Sequence, residues 1–134
     1  MIEIIRDNEL DLAIVLRSAY RAQGIKFFTP ESYSLQLGYM NRPSGYEIEA
    51  HVHVPVDRKI DFTNEVLFIK SGKVKIDFYS EEEIFVSSVV LVGGDVVLLA
   101  RGGHGLQMLE ASEIIEVKQG PYSGDCDKRR FKPD

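Results

Sequence analysis

Two imidazoles separated by one residue, in His51-Val52-His53, are the groups in this chain best suited to chemistry. Residues two apart in a strand point to the same face, so both rings can enter one space and share an ion. A third histidine, His104, lies on the glycine-rich stretch Gly102-Gly103-His104-Gly105, and Glu65 opens the apolar run that follows the histidine pair. Three nitrogens and one carboxylate oxygen suit a divalent transition metal such as Mn, Fe, Co, Ni or Zn. They argue against Ca or Mg, which take all-oxygen shells. Such a set leaves open positions on an octahedral ion. An oxygen-bearing substrate bound there is polarised, and a proton beside its carbonyl becomes easier to remove.

Other polar residues lie on or near the strands expected to wall the same space. Tyr39, Glu116 and Lys118 are the candidates for acid or base, and Tyr46, Arg101 and Gln36 for holding a substrate. Each has a plainer reading. Glu116 and Lys118 share one parity and can form an exposed cross-face pair, and loop cations such as Arg101, Arg58 and Lys59 are usually only solvated.

The elements that must position these groups are read from periodicity. Residues 8–23 are expected to form a helix. Asn8 is placed to cap it, Asp11 sits in the first turn and Gly24 suits the exit, while Leu12, Val15, Leu16, Ala19 and Tyr20 make an apolar stripe. From Tyr33 the period becomes two. Leu35, Leu37 and Tyr39 alternate with polar or small residues until Asn41-Arg42-Pro43-Ser44-Gly45 breaks the run. Tyr46, Ile48, Ala50 and Val52 then share one face of an expected strand, with Glu47, Glu49, His51 and His53 on the other. Glu65 to Tyr79 reads as a hairpin turning at Ser71-Gly72. Ile84 to Val92, Val96 to Leu99, the stretch with Leu106 and Met108, and Ile114 to Val117 follow as further strands. Many short strands with one terminal helix predict a closed or sandwich-like β-architecture.

The spacing of the candidate ligands resembles the first motif of the cupin family: Gly45, then His51 and His53, then Glu65, then Gly72. Gly94, Gly102 and His104 echo the second motif. The resemblance spans about residues 34–118. It departs from the family where Ala100 replaces a proline, where Met108 replaces an asparagine, and where a long loop, VPVDRKIDFTN, separates His53 from Glu65. It implies a double-stranded β-helix, or jelly-roll barrel, over about residues 33–119 of a single domain, 1–134, with an irregular tail, 120–134. It also implies His51, His53, Glu65 and His104 as the metal ligands, and a homodimer, as many cupins pair. The tail, from Gly120-Pro121-Tyr122 to Arg130-Phe131, is similar to that of small bacterial cupins found beside genes for sugar-nucleotide or polysaccharide synthesis. An isomerase or epimerase acting on a carbohydrate-like molecule is therefore expected. A non-catalytic sugar- or anion-sensing module and a metal-dependent dioxygenase stand as the alternatives.

The whole chain narrows the classes further. Its 134 residues provide one core, and an apolar fraction of 44% with 28% charged residues is that of a globular protein rather than a disordered one. No apolar run approaches the length of a membrane span, and MIEIIRDNE lacks the layout of a signal peptide. A lone cysteine, Cys126, fits a reducing, cytoplasmic setting. A net charge of −5, with Lys128-Arg129-Arg130 as its one basic cluster, makes nucleic acid an improbable partner. Ile2, Ile4 and Ile5, with the expected helix, offer apolar surface for a homodimer.

Overall fold

A computed structural model describes the backbone of residues 1–134 and every side chain except that of Asp125. Alternating and consecutive apolar residues produce strands along most of it. They are β1 (Ile2–Asp7), β2 (Leu10–Leu16), β3 (Gly24–Phe27), β4 (Gly38–Asn41), β5 (Glu65–Ser71), β6 (Lys73–Tyr79), β7 (Phe85–Val92), β8 (Val96–Leu99), β9 (Gly103–Met108) and β10 (Glu113–Lys118). The chain is all-β, and among the described residues there is no α-helix, only a 3-10 turn at Gly124–Asp127.

The helix expected over residues 8–23 is a correction. Leu10–Leu16 is a strand, hydrogen-bonded to β1 on one side and β8 on the other. Leu12, Ala13, Ile14 and Val15 are all buried, so both faces of the segment are covered. A strand inside a sandwich hides consecutive residues on opposite faces, whereas the helical stripe called for burial on one face only. Asn8 does not cap a helix. It takes φ 56° in a tight turn from β1 to β2, a left-handed conformation that asparagine tolerates well.

Two sheets form the body. One has the order β1-β2-β8-β5-β10 and the other β7-β6-β9, while β3 and β4 make a separate pair. The core lies between the two larger sheets, where Leu12, Leu67, Ile69 and Val97 of the first meet Val74, Ile76, Phe78 and Leu91 of the second. Glu65 to Tyr79 is therefore not a hairpin, which is a second correction. Its two strands belong to different sheets, and Gly72, at φ 95°, turns the corner between them. A Cβ on Gly72 would collide with Ser112 and the carbonyl of Ala111, so close packing as well as conformation selects glycine there.

The two sheets are not closed on each other: side chains bridge them along one side, and the other side is open. On the bridged side Arg17 of the β2 exit donates to the carbonyl of Val90 at 2.7 Å and meets Asp95 at 3.0 Å, tying the sheets together. On the open side β9 and β10 are edge strands, and Leu106, Met108, Ile115 and Val117 remain exposed there. The strand expected from Tyr46 to His53 is a third correction: residues 42–63 are exposed and lie in no strand. Among the described residues no helix is long and apolar enough to cross a membrane.

Candidate functional site at the open edge

Register decides which groups meet at the open side. His104 of β9 pairs with Phe78, a buried residue of β6, so its ring points to the inner face of the three-stranded sheet. Glu65, at the start of β5, lies opposite both Leu99 and Lys118 and points to the inner face of the other sheet. The two side chains cross the gap between the sheets, with His104 Nε2 3.2 Å from Glu65 Oε2. Lys118 Nζ stands 3.8 Å from the other carboxylate oxygen of Glu65 and 3.6 Å from Glu116.

This arrangement has an electrostatic consequence. The hydrogen bond with His104 holds the Glu65 carboxyl below its usual value, with the charge on Lys118 adding to the effect and partial burial opposing it. A carboxylate bonded to an imidazole, with an ammonium group on its second oxygen, is a competent proton acceptor and donor pair. Its neighbourhood is open to a small molecule. A cleft of about 1080 Å³ runs past Glu65, His104 and Lys118; Arg101, Lys128, Arg129 and Arg130 add four cations to its lining, and Asp61, Glu81, Glu83 and Asp127 add four carboxylates.

The C-terminal tail makes one wall of the cleft. Phe131 stacks edge-on against Tyr79 at 5.2 Å and lies against Gly103, where a Cβ would stand 3.0 Å from the ring. Arg129 clamps Glu83 from both its Nε and Nη2, at 2.9 and 2.7 Å. Sequence reading gave the tail no part in the site. Its one signal was Lys128-Arg129-Arg130, three successive cations in an acidic chain.

The other residues singled out by sequence lie as follows. Arg101 lines the cleft, over the ring of Phe62 at 4.3 Å and 3.9 Å from Glu81. Glu116 lines a smaller neighbouring pocket that shares Glu65, His104 and Lys118 with the cleft. Tyr39 packs edge-on against Tyr20 at 4.9 Å, away from the cleft lining. Gln36 donates to the carbonyls of Tyr33 and Pro30 at 2.8 and 3.0 Å and so staples its own loop. Tyr46 is exposed beneath the guanidinium of Arg42.

The four expected metal ligands fall into two pairs. Glu65 and His104 are in contact, while His51 and His53 have ring centroids 5.3 Å apart on the exposed segment and do not line the cleft. Among the described residues no three His, Cys, Asp or Glu side chains are grouped to hold an ion. As placed, the donors do not form one ligand set. Comparison of the chain with family models, with curated proteins and with solved structures gives no match.

Proposed function

We propose that this two-layer β-protein is a small cupin-like protein that acts on a carbohydrate-like molecule bearing an anionic group, as an isomerase or epimerase. The observation that carries this reading is the contact between Glu65 and His104 in an open cleft that Lys128 and Arg130 also line. In this reading Lys128 and Arg130 receive the anionic group, and the substrate's carbonyl faces the Glu65–His104 pair. The imidazole removes a proton from the carbon beside the carbonyl. Glu65 stabilises the imidazolium that forms, and the proton returns to a neighbouring carbon or to the other face. Lys118 offsets the negative charge that develops on the substrate oxygen.

A divalent transition metal belongs to this proposal through His51 and His53. The ion would polarise the substrate's oxygens, and its full ligand set requires the segment 46–56 to lie beside β9. Elemental analysis of the purified protein and of a His51→Ala, His53→Ala variant tests that part by itself. Equal metal content in both removes the pair as ligands.

The activity is tested by proton exchange. Phosphorylated and nucleotide-linked keto sugars incubated with the protein in deuterated water should incorporate deuterium beside the carbonyl, as read by NMR, and Glu65→Gln should slow this by about 10²–10⁴-fold. Binding of the same compounds without exchange or product would sink the catalytic reading and leave a sugar- or anion-sensing module.

A further inference from the structure

We infer that residues 120–134 form a strap that an anion in the cleft fastens, so that binding and closure of the tail are one coupled event; this rests on the reading above only in that the cleft takes an anionic group. The strap is lightly held. Gln119 N donates to the carbonyl of Asn64 at 3.2 Å, and beyond it, among the described residues, no backbone group of the tail is hydrogen-bonded to the rest of the chain. Side chains fasten it instead, through Phe131 on Tyr79 and Arg129 on Glu83. That ion pair lies at the surface, with the Arg129 side chain 78% exposed, and such pairs contribute little. A segment with so few bonds opens at small cost.

The seat of the strap is strained. Glu83 has φ 69°, a left-handed conformation rare for a long side chain, in a tight turn where the amides of Glu82 and Ile84 both donate to Ser80 Oγ at 3.2 Å. This turn presents the Glu83 carboxylate to Arg129. The chain leaves the 3-10 turn extended at Lys128, with φ −147° and ψ 154°, and neighbours in an extended chain point opposite ways. Arg129 and Phe131 are thus the anchors, and Lys128 and Arg130 alternate with them. The carboxylates of the lining are already engaged: Glu81 with Arg101, Glu83 with Arg129, Asp61 with Lys59 and Asp127 with Ser123. Lys128 and Arg130 line the cleft with no ion-pair partner among the described residues. Lys128 also shares the smaller pocket with Lys118 of β10, so an anion lying between them ties the strap to the five-stranded sheet.

Chymotrypsin, which cuts after Tyr122 and Phe131, reads the open strap without acting at the two free cations. The probes are inorganic phosphate and fructose 6-phosphate at equal ionic strength, with binding measured by calorimetry. At about nine times its Kd a probe should slow both cuts about tenfold, because it stabilises the closed form by the factor 1 + [L]/Kd. Slowing by both probes shows that the phosphate group suffices, and slowing by the sugar phosphate alone gives the sugar a share in closure. Lys128→Gln with Arg130→Gln should abolish the slowing. Glu83→Gly removes the anchor and the unfavourable φ together, so without anion it should speed the cuts about two- to fivefold and leave the urea midpoint no lower. A probe that binds while the cuts are unchanged, or a Glu83→Gly protein cut at the original rate, would overturn the strap and leave the anion reading standing. Slowing that survives loss of Lys128 and Arg130 would place the anion elsewhere, and failure of both probes to bind would remove the anion subsite and the strap with it.

Discussion

Glu65 concentrates the chemistry because three groups of different charge behaviour converge on it: His104, Lys118 and Glu116. Replacing it with glutamine keeps the shape and removes the charge, so proton exchange on substrate should fall by about 10²–10⁴-fold, and His104→Gln should fall within the same range. The same pair gives a pH signature. The folded state holds the Glu65 carboxyl below its unfolded value, so ionised Glu65 stabilises the fold above the ordinary carboxylate range. That contribution is lost as pH falls through the folded value. Urea unfolding measured from neutral to acid pH should show a loss that Glu65→Gln lacks, and parallel curves for the two proteins would contradict the assignment. The ligand candidates themselves were legible in the sequence as types and spacings. The contact between Glu65 and His104 was not, since it depends on which sheet each strand joins.

At the scale of elements, the corners and closures carry the stability. Asp95 is 2% exposed and accepts from Ser18 N at 2.8 Å, Val92 N at 2.9 Å and Arg17 at 3.0 Å, so one carboxylate ties the exit of β2 to the turn between β7 and β8. Asp95→Ala leaves the amides of Ser18 and Val92 without their acceptor, while Arg17 keeps Glu3 and the Val90 carbonyl, and should cost about 2–4 kcal/mol in urea unfolding. Gly72→Ala should cost about 2 kcal/mol or more, because its positive φ and the Ala111–Ser112 backbone both oppose a side chain. The tail is a separate element that sequence reading left as an irregular end. Its function as a wall follows from Phe131 seated on Tyr79. Phe131→Ala should therefore loosen the tail, detected as faster proteolysis after Lys128 and weaker binding of anionic sugars, with the β-sheet spectrum intact. Residues 8–23 show why local pattern misled: the spacing of Leu12, Val15 and Leu16 also fits a strand covered on both faces, and only β1 and β8 alongside decide between the two.

For the molecule as a whole, the open side is the defining feature. Arg17 latches one flank of the sandwich, while the other exposes two strand edges, their apolar residues and the cleft. The sequence by itself determined that the chain is built of short strands, because period-two alternation and glycine turns are local properties of the backbone. It also determined that the imidazoles are few, three in the whole chain, with two of them at His51 and His53. Only the tertiary structure decided that Glu65 and Lys75 belong to different sheets, that His104 faces Glu65 across the gap, and that the His51–His53 strand pattern lies outside the body. Pairing partners lie far apart along the chain, and periodicity records which residues want cover without saying what covers them.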